Sequence, residues 1–120
     1  VMDGERLSQF QELVRRVPAP PSVVQAAVRL ARSTRPDDQD APGFIREMIA
    51  WGAGPRASQY LVLGAKSRAA LHGRAAPDLE DVRAIAPDVL RHRVVPGFEA
   101  EAAGRTADDL VAELIASVLA

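Results

Sequence analysis

Residues 52–69 read GAGPRASQYLVLGAKSRA, and this stretch predicts the helix around which the rest of the chain folds. Proline suits the first position of a helix because its missing N–H costs nothing there, so Pro55 marks the start and Gly54 is a plausible N-cap. The apolar residues that follow lie on more than one side of a helix: Ala57, Tyr60, Leu61, Leu63, Ala65 and Ala69. Such a helix is central and enclosed by its neighbours. We expect it to reach about Leu71, with Gly73 just beyond its end.

Arg56 is unusual in this helix because it follows the proline directly, in the first turn. The helix macrodipole places about half a positive charge at that end, so a cation is disfavoured there by roughly 0.3–1 kcal/mol unless an anion is close by. Either Arg56 extends into solvent, where water screens the penalty, or its guanidinium and the free N–H groups together bind a phosphate. The physics of the sequence alone favours the first explanation.

The composition predicts a single all-α domain. Of the 120 residues, 48% are hydrophobic but only 4% are aromatic, and alanine supplies much of the apolar share. That balance favours closely packed helices over a sheet, and the length suits one domain. We therefore expect a small bundle of about five helices over residues 1–120. Because the chain starts at Val1 without an initiator methionine, we also expect it to be a fragment of a longer protein.

Two helices are predicted before the quoted stretch. The first runs from about residue 3 to residue 16 and ends at VPAPPS, where three prolines in four residues cannot continue a helix. The second has Ser22 as its N-cap. Its predicted buried stripe consists of Val24, Ala27, Val28 and Ala31. FIREMIAW, at residues 44–51, is compatible with a short helix entered through Pro42 or with an extended run.

The C-terminal half is predicted to add the remaining helices. One is capped by Asp78 and is expected to break and restart near Pro87. An irregular connection follows, with a short extended piece at residues 94–98. The last helix has the clearest signature, because Thr106 is a cap and Asp109 completes a near capping box. Its apolar face consists of Leu110, Val111, Leu114, Ile115 and Val118.

Charge and chemistry disfavour several classes of function. The 15 basic and 16 acidic residues are spread along the chain, without the basic face that a nucleic-acid partner needs. There are no cysteines, and His72 and His92 stand alone as a helix-end and a surface histidine, so no metal site is predicted. No apolar run approaches the ~18 residues of a membrane span, so we expect a cytoplasmic protein without a membrane partner. No phosphate loop or activated nucleophile is present, and the chain alone should not be a complete enzyme.

Three blocks of the sequence resemble the C-terminal lid domain of the MoxR-type AAA+ ATPases. In chain order they are WGAGPRASQYLVLGAKSRAALHGR, DLEDVRAIAPDVLRHRVV and FEAEAAGRTADDLVAELI. The similarity extends forward through FQELVRRVP and LARSTRP, so it covers nearly the whole chain. The order and spacing of the blocks make it specific. The resemblance implies a helical AAA+ lid whose P-loop core domain lies outside this chain.

The resemblance also gives Arg56 a role. In this family the segment around GPRA starts the lid helix that carries the sensor 2 arginine, which Arg56 matches. Arg56, with Pro55 and Ala57 beside it, would then lie at ATP bound mainly by the core domain. A bound triphosphate would satisfy both the helix dipole and the guanidinium, and Arg56 would help hold the γ-phosphate and stabilise its developing charge. Gly54 departs from the family, which commonly has serine there, and the glycine lacks a capping oxygen.

Arg35 in STRP and Arg91 and Arg93 in LRHR also lie in blocks that look like the family. Each is either a solvated surface arginine or a contact to the nucleotide edge or a neighbouring subunit. For the parent protein, the resemblance implies ATP with Mg²⁺, a ring that we expect to be hexameric, and chaperone-like maturation of an unknown client. The isolated fragment should bind no cofactor and should not hydrolyse ATP.

The main rival is a free-standing helical adaptor that binds a partner protein through an apolar groove. Such an adaptor would bind its partner without nucleotide or a companion domain. The blocks around Arg56 and the missing initiator count against it. A small helical nucleic-acid binder is disfavoured by the net charge of -1.

Overall fold

The computed structural model describes residues 3–119. Over that range the chain forms seven helices and one two-stranded antiparallel sheet. The elements are α1 (Gly4–Arg16), α2 (Pro21–Ser33), α3 (Gly43–Met48), β1 (Ile49–Trp51), α4 (Arg56–Leu71), α5 (Leu79–Leu90), β2 (Val95–Pro96), α6 (Phe98–Ala102) and α7 (Ala107–Val118). Two of the helices are short, with six and five residues. The five longer ones confirm the predicted helical bundle.

Helix α4 lies at the centre of the domain and packs against α1, α2 and α5. Its buried residues repeat every four positions: Ala57, Leu61, Ala65 and Ala69. Gly64 lets α5 approach closely, since a Cβ on this glycine would lie 3.1 Å from Ile85 Cδ1. The prediction of an enclosed helix holds only in part. Tyr60 and Leu63 are 40% and 46% exposed, because the neighbouring helices cover only part of its circumference.

Helix α4 ends as the sequence predicts. Gly73 has φ +70, a left-handed conformation that glycine adopts without a steric penalty. The N–H groups of Gly73 and Arg74 donate to the carbonyls of Ala70 and Ala69 at 3.1 and 2.8 Å. This pair of bonds is the Schellman motif, which satisfies carbonyls at the helix end.

The predicted start of α2 is wrong. The helix begins at Pro21, and Pro20, not Ser22, occupies the cap position without a side-chain hydrogen bond. The Pro20 carbonyl accepts from the N–H groups of Val23 and Val24 at 3.0 and 3.2 Å. A proline in the first turn has φ already set for the helix and lacks an N–H that would need a partner. It therefore replaces the side-chain cap that Ser22 was expected to supply.

The predicted buried stripe of α2 is only partly correct. Ala27 and Ala31 are buried, but Val24 and Val28 are 39% and 40% exposed. The buried face is instead Val23, Ala26, Ala27, Leu30, Ala31 and Ser33. Both stripes are apolar and overlap, so periodicity cannot choose between them. Packing against α4, α5 and α7 selects the face that carries Leu30.

Helix α5 continues through Pro87, so the predicted break is also wrong. Its start is as predicted, with Asp78 and Asp81 forming a complete capping box. Val82, Ala86 and Leu90 are buried on one face that spans both sides of the proline. A proline inside a helix removes one hydrogen bond and costs about 3 kcal/mol. The apolar contacts on that face offset the cost, because breaking the helix would expose them.

The segments that connect the five longer helices contain more regular secondary structure than predicted. FIREMIAW takes both forms that its pattern allows, since it forms most of helix α3 and then strand β1. Strand β1 pairs antiparallel with β2, which confirms the extended piece predicted within residues 94–98. Helix α6 follows where only an irregular connection was predicted. The capping box of α7, formed by Thr106 and Asp109, is confirmed. Within residues 3–119, no helix is long and apolar enough to cross a membrane.

Candidate functional site

The start of α4 is held by backbone geometry and not by a side-chain cap. Helical assignment begins at Arg56, one residue later than predicted, and Pro55 occupies the cap position. Pro55 nevertheless has helical dihedrals, φ -59 and ψ -29, and the Gly54 carbonyl accepts from the Ala57 N–H at 3.1 Å. The predicted geometry of the turn is therefore present, with its formal boundary moved by one residue.

Arg56 and Ala57 differ in their exposure at this turn. Ala57 is 1% exposed, so its methyl group belongs to the core, and its N–H is already bonded to Gly54. Arg56 is exposed, and within residues 3–119 its guanidinium has neither a hydrogen-bond nor an ion-pair partner. Of the three residues predicted at the nucleotide, Arg56 is the one whose side chain can donate hydrogen bonds to a ligand. Pro55 is exposed beside it.

A surface groove brings Arg56 together with another predicted residue, Arg93. The groove is lined by Gly54, Pro55, Arg56, Ala57, Tyr60 and Arg93. The Arg93 guanidinium lies 4.6 Å from the centre of the Tyr60 ring, a cation–π contact, and also donates to the Val89 carbonyl at 2.9 Å. Two guanidinium groups and a helix N-terminus thus face one groove, and its lining residues include no carboxylate. Such a groove attracts anions.

Arg35 lies in a neighbouring groove that also includes Gly54. Its Nε donates to the carbonyl of Ala53 at 2.8 Å. This bond joins the loop after α2 to the segment that leads into α4. Arg35 is therefore engaged with the backbone three residues before Arg56.

Arg91 lies elsewhere and is paired within the chain. Its guanidinium is 3.4 Å from Asp88 and 3.1 Å from Asp108, at the start of α7. The second contact is close enough for an ion pair but is not aligned for a hydrogen bond. These contacts favour a structural role for Arg91, joining the end of α5 to α7.

A cluster at the other end of α4 was not predicted. The Asp81 side chain is fully buried and accepts from Arg68 and Arg74, each at 2.7 Å, with a second short contact to Arg74. It also accepts from the Asp78 N–H at 2.8 Å. Hydrogen bonding to Arg74 is the largest cause that holds the pKa of Asp81 well below its ordinary value, and burial opposes it. The sequence gives no sign of this cluster, because its three members come from α4, from α5 and from the loop between them.

The two histidines occupy the positions that the sequence suggests. His72 is the C-cap residue of α4, and both His72 and His92 are exposed. In the part of the chain that the structure describes, no group of three or more histidine or carboxylate side chains is arranged to hold a metal ion. The groove around Arg56 is therefore the strongest candidate site that the structure offers.

Comparison with known proteins agrees with the fold and the motifs. The profile of the AAA lid domain family matches residues 44–114, more than half of the chain. Chaperone MoxR1 of Mycobacterium tuberculosis is 34% identical over 94 residues, which cover 78% of this chain and 24% of that protein. Protein MoxR of Methylorubrum extorquens is 33% identical over 99 residues, covering 78% of this chain and 29% of that protein.

A solved structure shows the same fold over almost the full length. A proposed ATPase from Cytophaga hutchinsonii superimposes with a TM-score of 0.85 and 24% identity, covering 93% of this chain and 34% of that one. The chain thus spans about a quarter of the curated relatives and a third of the solved protein. In each case it corresponds to one part of a larger molecule. By its family profile and its MoxR-named relatives, the chain is an AAA lid domain of the MoxR family.

Proposed function

We propose that this chain is the lid of an ATP-hydrolysing protein and that Arg56 is its sensor 2 arginine, directed at the γ-phosphate of ATP held by a core domain. One observation carries the proposal. Arg56 is exposed in the first turn of α4 and has no partner within residues 3–119, although that position disfavours a cation. An anion brought by another domain would remove the penalty.

The donors around Arg56 fit a triphosphate. The lining residues of the groove supply the guanidinium groups of Arg56 and Arg93 without a competing carboxylate. Gly54 is open, since a Cβ built there would meet no atom within 4 Å, so a ligand can approach the backbone closely. By resemblance, the P-loop core would bind Mg²⁺ and most of the nucleotide. The lid would add a cationic contact from the opposite side.

Arg56 would act by donating to oxygens of the γ-phosphoryl group. A guanidinium offers two parallel N–H donors, which match a phosphate and neutralise charge as it develops there. Because Arg56 is fixed to the lid and the phosphate to the core, loss of the γ-phosphate would release this contact. The nucleotide would in this way set the angle between the two domains. The same contact can be made to ATP of its own subunit or of a neighbour.

The test is Arg56→Ala in the full-length protein. We expect ATP turnover to fall at least about tenfold, because one lost donor to transition-state charge typically costs that much or more. Arg56→Lys should recover only part of the rate, since an ammonium cannot form the two-pronged contact. Arg29→Ala is the matched control, because Arg29 is exposed on α2 away from the groove. Wild-type turnover in Arg56→Ala would remove the proposed role.

We also propose that the parent assembles as a hexameric ring and matures a client complex in a chaperone-like manner. The MoxR-named relatives, one of which is called a chaperone, support this proposal. Arg93 lies in the groove and would contact the nucleotide edge or the next subunit, whereas Arg91 is paired within the chain and Arg35, beside the groove, donates to the Ala53 carbonyl. Charge reversal at Arg93, followed by sizing with ATP, should weaken assembly or turnover. The same change at Arg91 should mainly lower stability.

A further inference from the structure

The geometry points to a positioning role for the loop after α2: Thr34 and Arg35 fix the segment that leads into α4 and thereby direct Arg56. This inference rests on the proposed function of Arg56. We call Thr34, Arg35, Gly52 and Ala53 the latch. Its members come from two loops that are 17 or more residues apart in the sequence.

Both polar groups of the Ala53 backbone are held by the latch. The Thr34 Oγ1 accepts from the Ala53 N–H at 2.8 Å, and the Arg35 Nε donates to the Ala53 carbonyl at 2.8 Å. Thr34 Oγ1 also donates to the Ala31 carbonyl at 2.6 Å, which ties the hydroxyl to the last turn of α2. Thr34 and Ala53 are 0% and 1% exposed, so water cannot replace these bonds without opening the core.

Gly52 brings the two loops into direct contact. A Cβ on Gly52 would lie 2.4 Å from the Thr34 carbonyl oxygen and 2.7 Å from Arg35 Cα. Both atoms are backbone, so neither can rotate away. A side chain at this position must therefore separate the loops. Gly54, two residues later, differs completely because its built Cβ meets nothing within 4 Å.

The latch matters because the start of α4 has little else to fix it. The helix lacks a side-chain cap, and a Cβ built on Gly54 would meet no atom within 4 Å. Beyond Pro55 the turn is held by the Ala57 N–H bond to Gly54, by the Ser58 hydroxyl, which donates to the Pro55 carbonyl at 3.1 Å, and by the buried Ala57 methyl group. None of these contacts reaches Ala53. Ala53 lies three residues before Arg56, so movement of this peptide would shift the guanidinium. Displacement by about 1 Å can cost up to about 100-fold in rate when a contact must meet a reacting group.

Two matched pairs of variants in the full-length protein test the inference. Thr34→Val removes the hydroxyl but keeps the shape, and Thr34→Ser restores the hydroxyl. Gly52→Ala places a methyl group against the Thr34 carbonyl, and Gly43→Ala, at the start of α3, places one in open space away from the groove. For each variant, and for Arg56→Ala, we would measure ATP turnover and amide hydrogen exchange over residues 53–57 and over α7.

We expect Thr34→Val and Gly52→Ala to speed exchange over residues 53–57 and to lower turnover about tenfold, with α7 unchanged. Thr34→Ser and Gly43→Ala should stay close to the wild type in both measurements. Arg35→Met should lower turnover less than Thr34→Val and leave ATP affinity unchanged. A weaker affinity would instead assign Arg35 to the nucleotide and remove it from the latch.

Two results would overturn the inference while the proposed function stands. In one, Arg56→Ala loses turnover but Thr34→Val and Gly52→Ala keep it. In the other, exchange rises in α7 as much as in residues 53–57, which would make the latch a general support of the fold. Wild-type turnover in Arg56→Ala is a different result, because it removes the proposed function and the positioning role with it.

Discussion

Arginines lie at or near both ends of helix α4, and the two ends differ in whether those arginines are paired with a carboxylate of the domain. Near the C-terminal end, Arg68 and Arg74 converge on the buried carboxylate of Asp81. At the N-terminal end, Arg56 is exposed and has no partner within residues 3–119. The charges at the C-terminal end of α4 are therefore balanced within the domain, whereas Arg56 at the N-terminal end is open to a ligand.

The direction of the helix explains why this difference is informative. A cation near the C-terminus complements the macrodipole, so Arg68 is favourable there even before it pairs. A cation in the first turn is unfavourable, and none of the ion pairs found within residues 3–119 involves Arg56. An internally paired arginine is explained by stability, whereas our proposal explains the exposed Arg56 by an anion that another domain brings. The predictions below test the two ends separately.

The largest change in stability is expected at the C-terminal end. Asp81→Asn keeps the shape of the side chain but removes the charge that Arg68 and Arg74 share. We expect the free energy of unfolding to fall by about 2–3 kcal/mol, because the lost hydrogen bonds are charged and the site is buried. Chemical denaturation of the chain would measure it. Asp88→Asn, which affects only an exposed pair with Arg91, should change stability by less than about 0.5 kcal/mol. Equal losses in both variants would contradict the comparison.

The pH dependence of the same carboxylate gives a second test. Hydrogen bonding to Arg74 holds the folded-state pKa of Asp81 below the ordinary value of 3.8. Its contribution is therefore complete above that ordinary value and is lost as the pH falls below it towards the folded-state pKa. The stability difference between wild type and Asp81→Asn should stay constant from about pH 7 to pH 5 and shrink below about pH 4. A difference that grows on acidification would refute this assignment.

The two ends should also differ when an arginine is removed. Arg68→Ala is expected to lower the free energy of unfolding by about 1 kcal/mol, since it breaks a contact of 2.7 Å to a buried carboxylate. Arg56→Ala should leave it unchanged or raise it by less than about 0.5 kcal/mol, because it removes an unfavourable charge from the first turn. Thermal unfolding of the two variants side by side would show the contrast. A loss at Arg56 as large as at Arg68 would mean that Arg56 serves the fold.

The smallest change in the free energy of unfolding is expected from adding a side-chain cap at the N-terminal end of α4. Gly54→Ser supplies the oxygen that the start of α4 lacks, and the site has room for it. We expect a gain of a few tenths of a kcal/mol, as for other glycine caps replaced by serine. Gly54→Ala, which adds a methyl group without an oxygen, should give no gain. If the alanine variant gains as much as the serine variant, the effect is not capping.

Sequence signals that act within a few residues correctly predicted the helix ends that they determine. Thr106 with Asp109, Asp78 at the start of α5 and Gly73 after α4 each act within a few residues, and all three are found as predicted. Predictions failed where distant contacts decide. Pro87 remains inside α5 because buried residues on both sides of it hold the helix together. The exposed face of α2 was misjudged because two overlapping apolar stripes differ only in what packs against them.

The same distinction between local and long-range effects applies to the candidate site. Arg56 could be singled out because the cost of a cation in the first turn is a local property of the sequence. Its neighbour Arg93 lies 37 residues later and reaches the groove only because the end of α5 lies beside α4, with Tyr60 under its guanidinium. The contact between Thr34 and Ala53 joins two loops and leaves no periodic signal.

By itself, the sequence determined that the chain is an all-α domain, where α5 and α7 begin and where α4 ends, and that Arg56 stands in an unfavourable position. Caps, prolines and glycines fix these features through hydrogen bonds between residues at most five positions apart. Only the tertiary structure decided which arginines are satisfied within the chain, that Asp81 is buried between two of them, and that the latch holds the start of α4. Those features depend on bringing distant segments within hydrogen-bond distance, which local preferences cannot specify.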